Sequence, residues 1–242
     1  MPARLAASAA ACAGAWALPA YAPNLPWLAA RLGIAMRTAH PGAIALTFDD
    51  GPHPEGTPAV LDALDRAGAR ATFFLVGERV ERAPHVAREI VARGHAVAIH
   101  GYRHRSLMRL GPRAIDRDLD RAVELIGAAT GRTPTLHRAP YGTYSWPSLR
   151  AVRRRGWTPV LWTRWGRDWS RRATPASIAR LAAGDLRDGD VVLLHDADDY
   201  AVPGSWRRTV AALPAVLDAA AARGLACAPL TGAADLVAPS GR

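Results

Sequence analysis

The sequence predicts an α/β fold: a distorted seven-stranded (β/α) barrel of parallel strands with outer helices. Two observations predict it. From residue 43 onward, seven short apolar runs alternate with stretches of helical periodicity. Such alternation implies parallel strands joined by right-handed crossovers. Titratable side chains also collect at or just beyond the carboxyl ends of these runs: Asp49, Asp50, His100, Arg138, Asp168, His195 and Asp196. An open doubly wound sheet would string them along an edge, whereas a barrel gathers them at one mouth, where catalytic groups sit. Seven strands are fewer than the eight of a regular barrel, hence the distortion.

Taken in order, residues 43–48 are bounded by Gly42 and Asp49 and read as a buried strand. Thr57 begins a helix with Pro58 in its first turn, running to Ala67 and stopped by Gly68. Residues 71–76 form the second strand. A helix over 84–93 follows, with Gly94 after it, and then the third strand over 95–99. The long helix over 112–130 is closed by Gly131. The fourth strand is 135–138, followed by a helix over 146–155 that Gly156 stops. Residues 157–163 form the fifth strand. Thr174 caps a helix that starts at Pro175 and runs to near Leu186. The sixth strand is 190–195, a helix over 206–223 ends at Gly224, and residues 225–229 are the seventh strand.

The chain has 242 residues, enough for one or two domains. Residues 1–22 carry Arg4, an Ala-rich apolar run from Leu5 to Leu18, and Ala20-Tyr21-Ala22 ahead of Pro23. This is the grammar of a secretory signal peptide. The run is shorter than the roughly 18–20 residues of a spanning helix, yet Leu25 to Met36 is also fairly apolar, so an uncleaved N-terminal membrane anchor stays open beside it. A plain Ala-rich helix packed on the domain is the third alternative. Pro23, Pro26, Pro41 and Gly42 mark residues 23–42 as a linker. The domain then spans 43–232, and 233–242 form a C-terminal tail. The expected location is extracytoplasmic, secreted or anchored at the cell envelope, and the expected state is a monomer.

Hydrophobic residues make up 50% and charged residues 21%, proportions that exclude a disordered chain. The net charge of +10 would suggest nucleic acid, but all 31 basic residues are Arg, Gln is absent and Asn24 is the only Asn. Such a compositional bias spreads basicity over the whole surface, so no nucleic-acid partner is expected. Attraction to anionic cell-surface polymers or lipid heads fits better. Cys12 and Cys227 alone exclude a disulfide framework and Cys-rich metal sites.

The chemistry begins with Thr47-Phe48-Asp49-Asp50-Gly51-Pro52. Adjacent Asp residues point in different directions, so one can bind a cation while the other takes a proton. The same residues also make an ordinary acidic turn. His100 and His104 stand at i and i+4, which on a helical turn places both imidazoles on one face. Two His and one Asp give three ligands and leave positions open for water and substrate, as in a catalytic rather than a structural metal site. Zinc suits such a set, with cobalt, nickel and iron as alternatives.

Across about residues 42–230 the chain resembles the polysaccharide deacetylases, carbohydrate esterase family 4, with their NodB-homology domain. Five motifs carry the resemblance, in order: Thr47 to Gly51 (T-F-D-D-G), His100 to His104, Arg138-Ala139-Pro140-Tyr141-Gly142, Asp168-Trp169, and Leu193-Leu194-His195-Asp196. The resemblance implies the same seven-stranded barrel and a hydrolase that removes N-acetyl groups from a sugar polymer or glycan, releasing acetate. It implies one divalent metal on Asp50, His100 and His104. It makes Asp49 the general base, Arg138 the arginine that pairs with that base, and the backbone N–H of Tyr141 the oxyanion donor. His195 becomes the acid that protonates the leaving amine, supported by Asp168. Trp169 and Leu193 would wall the acetyl pocket. Apart from the resemblance, Trp165 and Trp169 lie in the loop beyond the fifth strand, where they can stack on a sugar ring or simply fill the core.

Three residues depart from the family pattern. Gly101 removes the hydroxyl that usually follows the first metal histidine. Trp165 stands where the fourth motif usually has its first Asp. Ala139 replaces a common Pro. Trp157 and Trp162 read as core, and His40, His53, His85, His95 and His137 as structural. Asp196, Asp198 and Asp199 read as an acidic rim rather than a second cation site. A non-catalytic carbohydrate-binding relative and an O-acetyl esterase on the same fold are the alternative functions. Peptidoglycan, chitin-like oligomers and exopolysaccharides all stay open as substrates.

Overall fold

A computed structural model describes residue 14 and residues 16–237. The organising element is the strand β2, Ala43–Asp49, all seven of whose residues are buried; a two-residue strand, β1 (Arg37–Thr38), precedes it. Further strands are β3 (Thr72–Leu75), β4 (Ala96–Ile99), β5 (Leu136–His137), β6 (Thr158–Pro159), β7 (Arg164–Trp165), β8 (Val191–His195), β9 (Ala226–Cys227) and β10 (Leu236–Val237). The main sheet runs β6-β5-β4-β3-β2-β8-β7, with every pair parallel. This is the predicted distorted barrel. The register sets Asp49 opposite both Phe74 and His195, so the ends of β2 and β8 bring their polar residues to one level.

The predicted fifth strand is where the barrel is distorted. Of residues 157–163 only Thr158–Pro159 forms a strand, pairing with β5, and a separate strand just beyond the predicted one, Arg164–Trp165, pairs with β8. The two edges of the sheet are therefore consecutive parts of one segment, residues 158–165. At the break, Ala35 donates to the Pro159 carbonyl (2.9 Å) and accepts from Leu161 N–H (2.8 Å), taking the bonds a neighbouring strand would have made. The seventh predicted strand is also shorter than expected. Only β9 forms, pairing with the first two residues of β2.

Helices cover the sheet where the apolar periodicity places them. They are α1 (Pro26–Arg31), α2 (Gly56–Arg66), α3 (Gly77–Arg82), α4 (Pro84–Ala92), α5 (Pro112–Thr130), α6 (Trp146–Arg154), α7 (Pro175–Ala183) and α8 (Ser205–Ala221). Helix α5 begins with Pro112 in its first turn and ends at Gly131, whose φ of 66° is easy only for glycine. Ser145 and Thr174 cap α6 and α7 through reciprocal bonds with Ser148 and Ser177. Helix α3 was not predicted. It is short because Ala83 precedes Pro84 and is pushed out of the helical region, to φ −135° and ψ 60°.

Residues 23–42, expected to form a linker, are folded onto the domain. Leu28, Ala29, Ile34 and Met36 join the hydrophobic core. Arg37 and Thr38 pair antiparallel with Val237 and Leu236, so the expected tail also contributes a strand. Burial of these apolar residues outweighed the Pro and Gly signals. Residues 1–13, with Arg4 and Cys12, residue 15 and residues 238–242 lie outside the described residues, and most of the predicted signal or anchor falls there. Among the described residues no helix is long and apolar enough to cross a membrane.

Candidate active site

The site forms where β2 ends. Asp49 is the last residue of the strand and Asp50 follows with φ 80°, a conformation rare outside glycine. The turn sends the two carboxylates in different directions. Asp49 Oδ1 accepts from Arg138 Nη1 at 2.7 Å. Arg138 is fully buried, and its guanidinium also donates to Thr47 Oγ1 (2.9 Å), Leu161 O (3.3 Å) and Val160 O (3.4 Å), with the Phe74 ring centroid 4.0 Å from its central carbon. A buried guanidinium is tolerable only when its donors are met in this way.

Asp50 faces the histidines. Its Oδ1 lies 3.4 Å from His100 Nε2 and 3.3 Å from His104 Nε2. The Nδ1 of His100 lies 2.9 Å from the carbonyl of Arg138. A carbonyl only accepts, so Nδ1 carries a proton there and Nε2 is free to ligate. Asp50 Oδ1 is buried with no hydrogen-bond partner among the described residues. An orphaned buried carboxylate oxygen between two imidazole nitrogens fits a divalent cation. Burial opposes the charge on Asp50, but the surrounding imidazoles of His100, His195 and His104 outweigh it and hold its carboxyl below the usual range. Burial pushes His104 down to about 4. The two histidines do not share a helix, contrary to the spacing argument. Residues 100–104 form a loop, because Gly101 has φ 89°.

His195 ends β8 on the opposite side. Its Nδ1 lies 2.8 Å from Asp168 Oδ1, and its Nε2 lies 4.0 Å from Asp50 Oδ2. Asp168 Oδ2 also accepts from the His195 backbone N–H (2.7 Å) and from the Thr209 hydroxyl (2.8 Å), which fixes carboxylate and imidazole together. Burial disfavours a charged His195, but the charge and hydrogen bond of Asp168, with Asp50 and Asp49 beyond, raise it to about 10. A cavity of about 310 Å³ lies between these groups. Asp49, Asp50, His100, His104, Tyr141, Trp165, Trp169, Leu193 and His195 all line it, while Arg138 and Asp168 are buried behind it.

The sequence model of the polysaccharide deacetylase family matches residues 36–160. The chain belongs to the polysaccharide deacetylase family. A chitooligosaccharide deacetylase of Azorhizobium caulinodans is 36% identical over 82% of this chain and 98% of its own length. A peptidoglycan-N-acetylglucosamine deacetylase of Bacillus cereus is 33% identical over 72% of this chain and 79% of its own length. Among solved structures, a family 4 carbohydrate esterase from Streptomyces lividans, in complex with acetate, superposes with a TM-score of 0.72. It is 32% identical, over 82% of this chain and 98% of that one. This polysaccharide deacetylase is thus a hydrolase of amide-linked acetyl groups on carbohydrate.

The departures from the family pattern have structural counterparts. Beside Gly101, Asp118 of α5 projects its carboxylate into the loop. A Cβ at residue 101 would lie 3.0 Å from Asp118 Oδ2. That oxygen accepts from Tyr102 N–H at 2.7 Å, and Oδ1 accepts from Arg105 Nη2 at 2.8 Å. The carboxylate of Asp118 therefore ties down the loop in the space where a side chain at 101 would project. The available signal in the sequence was a carboxylate on the buried stripe of α5, with Ile115, Leu119 and Ala122. Trp165 stands between Trp162 and Trp169, at ring-centroid distances of 5.8 and 5.0 Å, and Trp169 meets the His195 ring edge-on at 5.6 Å. Ala139 is fully buried.

Sequence reasoning also missed Tyr200. Its ring stacks on His104 at 4.2 Å and its hydroxyl donates to Glu78 Oε1 at 2.9 Å. No periodicity marks it, since it lies in the irregular acidic loop after β8. Trp162, expected as core, is buried but also lines the cavity. Asp196, read as rim, is instead fully buried, accepts from the Thr57 hydroxyl and is pushed up to about 7 by burial. His53, Asp198 and Asp199 cluster nearby. His53 Nδ1 accepts from the N–H groups of Glu55 (3.1 Å) and Gly56 (2.8 Å), so its Nε2 carries the proton and faces Asp198 Oδ1 at 3.4 Å. Asp199 pairs with Arg79 at 2.5 Å. This cluster is internally satisfied, unlike the Asp50 set.

Proposed function

We propose that this deacetylase acts outside the cytoplasm, as a secreted or envelope-anchored monomer, on the N-acetyl groups of a glycan, with one divalent metal, zinc by preference, on Asp50, His100 and His104. The observation that carries this reading is a pair of opposed groups flanking the Asp-His-His set. Asp49 is anchored by Arg138 on one side, and His195 is kept protonated by Asp168 on the other. When bound, the cation would act as a Lewis acid on the acetyl carbonyl and lower the pKa of water.

The chain's own residues do the rest. Asp49 accepts the proton of the attacking water, while Arg138 holds its carboxylate in place. The backbone N–H of Tyr141 donates to the oxygen that gains charge. His195 delivers its Nε2 proton to the departing amine, which leaves poorly unless protonated, and Asp168 stabilises the imidazolium until transfer. Trp169 and Leu193 hold the acetyl methyl, and Trp165 contacts the sugar. The deciding experiment is acetate release by the zinc-loaded chain from chitin oligomers, peptidoglycan glycan and acetylated exopolysaccharide, with a chelated control. Absence of acetate from every substrate would return the chain to the non-catalytic reading.

A further inference from the structure

A second cavity, about 490 Å³ in volume, adjoins the catalytic one and shares His104 and Tyr141 with it. Its other walls are Arg105, Ser106, Arg109 and Leu110. Tyr141 is 61% exposed and stands edge-on to His104 at 4.5 Å, so its ring forms the ridge between the two spaces. An exposed tyrosine ring at such a ridge offers a platform for a pyranose ring.

The charge on this side is only partly compensated. Among the described residues no carboxylate lines the cavity. Arg109 is exposed on a single turn, Leu107–Arg109, and makes no ion pair among the described residues. Arg105 has Asp118 as its partner but keeps a side-chain exposure of 45%. Two guanidiniums and a hydroxyl around an aromatic platform suit a sugar that carries a carboxylate, because guanidinium matches carboxylate geometry through paired N–H donors.

We propose that this cavity is a flanking subsite for a carboxylate-bearing sugar, next to the N-acetyl sugar that loses its acetyl group. The inference rests on the deacetylase reading above and narrows it. The preferred substrate is an acidic glycan rather than a neutral oligomer of N-acetylglucosamine. Arg109 is the specificity-determining residue, and Tyr141 serves both spaces.

The test compares kcat/KM for acetate release from three chains of equal length. One is neutral N-acetylglucosamine oligomer, one alternates N-acetylglucosamine with a sugar bearing a lactyl ether carboxylate, and one alternates it with a uronate. The expected result is a preference of about tenfold or more for one acidic chain over the neutral one, the usual worth of a charge-assisted hydrogen bond. Which acidic chain is preferred identifies the acid. Arg109→Ala should cut the acidic-to-neutral ratio by most of that factor, Arg109→Lys should restore part of it, and Arg109→Glu should reverse it. Added salt should erode the ratio in wild type. Equal rates on acidic and neutral chains, or a ratio untouched in Arg109→Glu, would overturn the subsite while leaving the deacetylase reading intact. No acetate from any chain would remove the deacetylase reading itself, and the subsite with it.

Discussion

Gly101→Ser introduces, between His100 and His104, the hydroxyl that the family motif carries there. Two costs can be worked out from the structure. Residue 101 has φ 89°, and a side chain in this left-handed region costs about 1–2 kcal/mol relative to glycine. The new Cβ would also lie 3.0 Å from Asp118 Oδ2, so the carboxylate must give way by a few tenths of an ångström. It would do so against its bonds to Tyr102 N–H and Arg105, and weakening one bond to a charged group costs on the order of 1 kcal/mol. The sum is about 2–3 kcal/mol. In a chain of this size that lowers Tm by about 5–10 °C. Because the strained residue sits between His100 and His104, zinc affinity should fall about tenfold or more. The assays are a thermal scan of the metal-free chain and competition titration of zinc against a chromophoric chelator. Asp118→Ala in the same background supplies a double-mutant cycle. If the two side chains compete for one space, the joint loss is smaller than the sum of the single losses. A Gly101→Ser chain as stable as wild type, binding zinc as well or better, would refute the idea that Asp118 replaces the missing hydroxyl.

Other outcomes follow from the same geometry. His104→Ala should abolish the stoichiometric metal found by elemental analysis, because it removes one of three ligands. Asp49→Asn should keep the metal and lose about a hundredfold or more in rate, since an amide cannot take a proton from water; near-normal turnover would make His195 the base. For His195 the sign is set by a raised pKa. The folding stability that its pairing with Asp168 contributes is fully present below the ordinary histidine range and is lost as pH rises from there through about 10, where the proton leaves. Asp168→Asn removes the main partner charge, so the basic limb of the pH–rate profile should move to lower pH. An unmoved limb would mean that Asp168 does not govern His195.

Much of the fold was readable because its signals are local. The long helix Pro112–Thr130 has the predicted limits because proline opens it and a left-handed glycine closes it. The strand β2 was legible as a short, mostly apolar run between turn residues. What escaped depends on distant partners. Nothing near residues 158–165 says that Ala35 will interrupt their ladder, because the contact spans more than a hundred residues of sequence. For the same reason the apolar residues among 23–42 were outweighed by their prolines. At the site, the motifs named the residues that surround the cavity. The contributions of Tyr200 and Asp118 were hidden, since each reaches the loop of residues 100–104 from an element that carries no motif.

The position of β2 has a consequence for when this enzyme comes into being. One edge of the strand is filled by Val191–His195 and part of the other by Ala226–Cys227, both drawn from the last quarter of the chain. A nascent chain that has emerged only through residue 160 holds Asp49, Asp50, His100 and His104 but leaves one whole edge of its most buried strand unpaired. Such an edge invites association with other chains, and closing it late carries the entropic cost of a long loop. The barrel, and with it His195, can therefore assemble only after residues 191–227 have been made. Any fragment ending before residue 191 should be inert and prone to aggregate, and deacetylation should begin only once the terminal strands have docked.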